Sequence, residues 1–391
     1  HRPRRAPGSQ AGAARRPRPL PCGRRPLADA VTPDPGTAAP RTNSSRTNEG
    51  GVLVDCAGAR VGGAKRLLDE FDLYLRDLDR PRPRVIGRDR PLTLTWLLRR
   101  EFADDRRRER TLALALNSVS FVTAGRERNV LLHGAQQFLG WDEARELGRR
   151  ISPAVHAQVP VVWSAMRRAD RLFVPSTSMA ERVCRVAPAL RDRVVVAFNP
   201  VTPPDPAVLA ARADERRERG DGPRVVDFLC PLIILPQKQM TGRLRAGLAA
   251  LDILAAPPHH IDATLTVTGS AEQIEDPAVA RHPRLRLIGG RHLPSTVAGL
   301  MARCDAIYFP SVLESFGYPL AEGRMMGVPV VALDSPHNRE IAGPALAGYQ
   351  RENAAEIAAA LHGALAMDLK ADQSGLFARG PYFDLLLGVG R

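Results

Sequence analysis

From residue 51 onward, short apolar runs alternate with stretches whose apolar residues recur every three or four positions. Runs at 51–56, 92–96, 111–116, 129–133, 171–175 and 194–198 predict strands in the first half of the chain. Runs at 225–230, 263–268, 285–288, 306–309 and 328–333 predict strands in the second half. Leu67, Leu68, Phe71 and Leu75 share one face of a predicted helix that follows the first strand. Further helices are predicted at 242–254, 295–302, 320–326 and 354–367, the last with Ile357, Leu361 and Leu365 as its apolar stripe. Strands apolar on both faces, alternating with helices, indicate parallel sheets covered on both sides. The fold class is therefore α/β, with two doubly wound, Rossmann-like domains facing each other across a cleft. Ligands of such sheets bind outside the carboxyl ends of the strands.

A proline-rich break at 199–206 and an Arg/Glu-rich stretch to Gly222 divide the halves. The expected domains are 51–200 and 201–370, with 371–391 a terminal segment able to pack back on the first. Residues 1–50 hold ten arginines, no lysine, three acids and nine prolines, and almost no aliphatic periodicity. Such a segment buries too little surface to offset its chain entropy and is expected to be disordered. It has no apolar stretch of the secretory kind. Because the chain opens at His1 rather than Met, the native start is expected elsewhere.

The 391 residues are 44 % apolar, enough for a sizeable core. No apolar run is long enough to span a membrane. Five scattered cysteines with no Cys-x-x-Cys pair fit reduced thiols in a cytosolic chain, and no Cys/His cluster has zinc spacing. The formal charge is +14, and half of that excess sits in residues 1–50. Only Lys65, Lys238 and Lys370 are lysines among 56 basic residues, so each merits scrutiny.

Residues 308–333 carry the most chemistry. A strand ends near Phe309, a loop holds Glu314, and Pro319 is suited to the first position of a helix. Glu322 is expected in the first turn of that helix, which Gly327 closes and Pro329 prevents from continuing. Backbone N–H groups around Ser315, Phe316, Gly317 and Tyr318, at a helix N-terminus, suit a diphosphate. Two ionised carboxylates eight residues apart can accept hydrogen bonds from hydroxyls at opposite ends of one ligand.

On these residues the sequence resembles the retaining glycosyltransferases of family 4 (group 1), which have the GT-B fold. Their Glu, seven residues, Glu signature reads here as Glu314 to Glu322, between Pro310-Ser311 and Gly327-Val-Pro-Val-Val. The stretches around Val267-Thr-Gly269, Asp305 and Arg339-Glu340-Ile are similar to other family landmarks. The resemblance is good over about 194–365 and weaker over 51–193. It implies an N-terminal acceptor domain and a C-terminal domain that binds a nucleoside diphosphate sugar. It places Glu314 and the amides of Ser315–Tyr318 by the donor hexose and its phosphate. Glu322 would bind the ribose hydroxyls, and Gly269 would lie under the base. Lys238 matches the lysine of the family's diphosphate clamp. The arginine of that clamp has no match, since residues 232–235 are Leu-Ile-Ile-Leu. Arg243 is read as a helix-surface residue rather than its substitute. Gly62 and Gly63 resemble the glycine loop that admits donor phosphate and acceptor, with Lys65 just beyond. His133, at a strand end, matches a histidine that often touches the donor sugar, with a structural histidine as the other reading. Asn117 is a further strand-end candidate.

The Asp77-Leu-Asp79 triplet is read as lying on a helix, where residues two apart do not share a face, so no metal site is expected. The resulting expectation is a metal-independent retaining hexosyltransferase with a nucleotide-sugar donor and no further cofactor. Its acceptor hydroxyl is on a glycan, lipid or small molecule. The protein is expected in the cytoplasm, with a peripheral contact at the inner membrane face, and no specific nucleic-acid partner. Alternatives are a 2-epimerase-like enzyme of the same fold and a non-enzymatic basic binder of nucleic acid or anionic lipid.

Overall fold

The structure is a computed structural model that describes residues 51–59, 62–104, 109–147, 151–218, 225–231, 240–290, 292 and 294–389. The expected disordered tail at 1–50 and Lys238 lie outside the described residues.

The first half runs β1 (Val52–Asp55), α1 (Gly62–Arg76), β2 (Arg84–Ile86), α2 (Leu94–Arg100), β3 (Leu112–Ala115), β4 (Glu127–Leu131), α3 (Trp141–Leu147), α4 (Pro153–Met166), β5 (Arg171–Val174), α5 (Thr177–Val186) and β6 (Val194–Val196). The second runs α6 (Pro206–Glu218), β7 (Val226–Cys230), α7 (Met240–Ala255), β8 (Ala263–Val267), α8 (Pro277–Ala280), β9 (Leu285–Leu287), α9 (Pro294–Arg303), β10 (Ala306–Phe309), α10 (Tyr318–Met326), β11 (Val330–Leu333), α11 (Pro336–Ala342), β12 (Leu346–Tyr349) and α12 (Ala354–Leu365). α13 (Arg379–Leu386) ends the described chain.

Two six-stranded sheets result, ordered β2-β1-β3-β4-β5-β6 and β12-β11-β10-β7-β8-β9. Their strand pairs are parallel, with Leu53 opposite Ala113 in one sheet and Ile307 opposite Val330 in the other. The strand order reverses between β1 and β3 and between β7 and β10. Those reversals open the crevices where doubly wound sheets take ligands.

The central strands are buried on both faces: all of β3 and β10 is inaccessible to solvent, as the unbroken apolar runs predict. α13 returns to the first sheet. Phe383 lies 5.0 Å from Phe71 of α1, and Leu386 O accepts from Asn129 Nδ2 at 2.9 Å. Cys56, Cys230 and Cys304 are buried free thiols.

The run at 92–96 is not a strand. Thr93 Oγ1 accepts from Trp96 N at 3.1 Å and starts α2 there. Helical spacing lets Trp96 and Arg100 reach one buried carboxylate, Asp55, at 3.2 and 2.7 Å. Asp77 and Asp79 are not helical either, because α1 ends at Arg76. Asp77 instead pairs with Arg379 at 3.2 Å.

Candidate active site

The loop from β10 into α10 is shaped by Gly317, whose φ of +81° is left-handed. A Cβ there would also come within 2.9 Å of Leu320 Cδ1, so glycine is needed on both counts. Gly317 caps α10, Tyr318 is its first residue and Pro319 its second. Glu322 is thus the fifth residue, one position further along than the sequence predicts. Gly327, with φ +63°, closes the helix as expected.

Glu322 is buried at 3 % exposure. Its carboxylate pairs with Arg66 of α1, whose guanidinium carbon lies 5.1 Å from the centre of the Tyr318 ring. Burial pushes the Glu322 carboxyl up from 4.5 to about 7, although Arg66 opposes the shift. Oε2 of Glu322 is shielded and has no hydrogen-bond partner among the described residues. Gly63, in the first turn of α1, faces the Tyr318 ring, and a Cβ there would make ordinary contact with it at 3.4 Å. Gly63 and Arg66 of α1 therefore meet Tyr318 and Glu322 of α10 between the two sheets.

Glu314 follows β10 and accepts from Ser311 Oγ at 2.7 Å. Beside it stands His337 of α11, whose buried ring interacts with Glu314 and with the Phe316 backbone. Burial lowers the pKa of His337, against the pull of Glu314. Two further contacts tie the sheets together. Ser176 Oγ donates to Ser315 O at 2.8 Å, and Thr177 N donates to the Glu340 carboxylate at 3.0 Å. Glu340 thereby caps the N-terminus of α5 from the other sheet.

Other expected residues fall at strand ends. His133 lies just past β4, and its backbone N donates weakly to Ser118 Oγ at 3.4 Å. Burial lowers its pKa to about 4, so the ring is neutral near pH 7, and Nδ1 has no described partner. Gly269 is buried just after β8. Phe316 is 2 % exposed, packed 5.1 Å from Tyr318 and 5.9 Å from Phe377, so only its backbone is available to a ligand. Asn117 serves the core instead: its Nδ2 donates to Asp55 at 2.8 Å. Arg243 is not a surface residue. It is 9 % exposed, donates to Pro310 O at 2.7 Å and pairs with Glu352 at 3.1 Å. Lys65 pairs with Asp69 on the surface of α1. The sequence reading missed Arg66 and His337. The one signal for Arg66 is its spacing, four residues past Gly62 on the helix that opens there.

Two facing Rossmann-like sheets with helix N-termini and carboxylates at the cleft form the GT-B arrangement. Residues 240–367 match the family model of glycosyl transferases group 1. The match is confined to residues 240–367, and it is this segment that is similar to the glycosyl transferases of group 1. No curated protein matches it in sequence. Among solved structures, Anabaena HepE in complex with UDP and glucose aligns with a TM-score of 0.52 at 15 % identity, over 86 % of this chain and 94 % of that one. WaaG, a glycosyltransferase involved in lipopolysaccharide biosynthesis, gives 0.53 at 14 % over the same shares. Sucrose-phosphate synthase from Thermosynechococcus elongatus gives 0.54 at 14 %, also over 86 % and 94 %. At these identities the likeness establishes the fold.

Proposed function

We propose that the protein is a retaining glycosyltransferase that moves a hexose-type sugar from a nucleoside diphosphate sugar to an acceptor hydroxyl. The observation that carries this reading is the meeting of Gly63 and Arg66 of α1 with Tyr318 and Glu322 of α10. A diphosphate placed there would face the positive end of α10 and backbone it can approach closely. Glu322 would accept from ribose hydroxyls once Arg66 shares or yields its carboxylate. Glu314 would accept from the hexose, His133 would meet the same sugar as a neutral imidazole, and Gly269 would make room for the base. Lys238 would meet the diphosphate as a point charge.

The bond from the anomeric carbon to the diphosphate breaks, and the acceptor oxygen bonds to that carbon on the same face. The acceptor proton goes to a diphosphate oxygen, so the products are the glycoside and the free nucleoside diphosphate. The protein contributes positioning and charge stabilisation. No metal and no further cofactor take part in this reading. HepE, bound to UDP and glucose on the same fold, supports a nucleotide-sugar donor.

The test is thermal unfolding in the presence of uridine, guanosine and adenosine diphosphates and their sugars, since a ligand of the native state raises the midpoint. One base family should raise it well above the others. No shift from any nucleotide would overturn the reading, and conversion of the sugar without an acceptor would mark an epimerase instead.

A further inference from the structure

The loop that carries Glu314 is held from both halves of the chain. Residues 310–317 form neither strand nor helix, so their backbone groups must find partners outside a ladder. Within the second half, Ser311 Oγ donates to Glu314 at 2.7 Å, and His337 interacts with Glu314 and with the Phe316 backbone. From the first half, Ser176 Oγ donates to Ser315 O at 2.8 Å. The Leu313 side chain also packs against the core of the first sheet. The peptide between Ser315 and Phe316 is planar and trans, so a fixed Ser315 O fixes the direction of the Phe316 N–H as well.

Ser176 is fully buried and uses its hydroxyl twice. The hydrogen goes to Ser315 O, and the oxygen accepts from Met179 N at 3.2 Å as the cap of α5. Thr177 completes the join. Its backbone N donates to the Glu340 carboxylate at 3.0 Å, and its Oγ1 donates to the same group. Glu340 stands on α11 three residues past His337, so the helix that meets the first half also meets the loop. A carboxylate at the start of α5 is favoured by the helix dipole. The start of α5, the Glu314 loop and α11 therefore form one cluster, and neither half supplies all of it.

We propose that Ser176 and Thr177 are positioning residues for the Glu314 loop, holding Glu314 and the Phe316 amide in place while the two halves of the chain are docked. The kinetic part rests on the proposed function, in which that carboxylate and amide meet the donor. The contact across the sheets does not.

Amide hydrogen exchange of the full chain, without substrate, tests the coupling. Ser176→Gly removes the donor to Ser315 O, and glycine remains a tolerated helix cap. Segment 312–318 should exchange at least tenfold faster in this variant. Ser176→Thr keeps the hydroxyl and should restore protection. Thr177→Val lies in the other half and keeps its backbone donor, yet it should speed exchange of segment 312–318 several-fold at an unfolding temperature close to wild type. A segment unprotected in the wild type, or unchanged in both variants, would overturn the proposal. So would loss of protection confined to α5, which would mark a helix cap and nothing more. Initial rates then test what the loop does. Ser176→Gly should lower kcat about tenfold. The double variant Ser176→Gly, Glu314→Ala should lose at least threefold less than the product of the two single losses, because both act through one carboxylate. A loss equal to that product would overturn the positioning role. A wild type that transfers no sugar would overturn the proposed function, and the exchange result would still decide the coupling.

Discussion

Arg66 and Glu322 belong to different sheets yet form one ion pair, with Glu322 almost wholly buried and Arg66 resting against the Tyr318 ring. The pair links the glycine turn of α1 to the helix that carries the second glutamate of the signature. Its energetics depend on protonation. The folded state holds the Glu322 carboxyl near 7 rather than 4.5, so ionisation costs the fold stability as pH rises between those values.

That linkage gives the first prediction. Without Arg66 the folded pKa of Glu322 rises further, since the opposing charge is lost. Near pH 6 the carboxyl is then neutral and tolerates the loss. Near pH 8.5 it must ionise unpaired in a buried place. Arg66→Ala should therefore cost about 1–3 kcal/mol more near pH 8.5 than near pH 6. Urea unfolding of wild type and variant at both values measures the difference, and equal costs would mean that the pair is not coupled to the titration.

Donor binding should carry the same proton. If ribose hydroxyls donate to an ionised Glu322, affinity follows the ionised fraction, about a tenth near pH 6 and nine tenths near pH 8 for a pKa of about 7. Nucleoside diphosphate affinity should rise up to about tenfold over that range. In Glu322→Gln it should be weaker and flat with pH. Calorimetry at three pH values decides, and a pH-independent wild type would refute the role.

Glu314 should behave differently. It stands in the loop after β10, held by Ser311 and beside His337. Its proposed contact is with the hexose, where charge develops during transfer. Glu314→Ala should lower kcat roughly ten- to hundredfold, the equivalent of about 1.5–3 kcal/mol, and leave nucleoside diphosphate affinity near wild type. A variant that loses nucleotide binding but turns over normally at saturation would reverse the assignment of the two glutamates.

Metal dependence is the fourth. Among the described residues no group of three or more His, Cys, Asp or Glu stands close enough to hold a metal ion. The proposed site balances the diphosphate with Lys238 and the amides at the start of α10. Transfer should persist within about twofold in excess EDTA. Full loss, restored by Mn²⁺, would require a different site.

Much of this was legible in the chain because buried parallel strands leave a clear trace: β1, β3, β5, β6 and β7 to β11 fall on the apolar runs, and β4 overlaps its run from Asn129. The edge strands β2 and β12 did not show. β2 is three residues after Pro81 and Pro83, and Gly348 interrupts β12. The run at 92–96 misled because Leu94 and Leu98 are apolar without being buried, so periodicity pointed to a core that is not there. Spacing singled out Glu314 and Glu322 because both lie on one loop and the helix that follows it. It hid Arg66 and His337, whose place depends on distant segments folding against that helix. It likewise misjudged Arg243, which is drawn inward by Pro310 O and Glu352.

Lys238 carries the last prediction. In the sequence it falls between β7 and α7, outside the described residues. The chain uses arginine for 53 of its 56 basic residues, so a lysine here suits a compact charge better than a planar fork. Charge on the diphosphate grows as the glycosidic bond breaks, so the ammonium should be worth more in the transition state than in the bound donor. Lys238→Ala should lower kcat on the order of 10²-fold with a much smaller change in donor affinity. Lys238→Arg should restore only part of the rate, because charge returns without the shape. A solvated loop lysine would leave both variants within about twofold of wild type. Initial rates at saturating donor separate the two cases, and a full rescue by arginine would show that charge alone, not its compactness, is what the site requires.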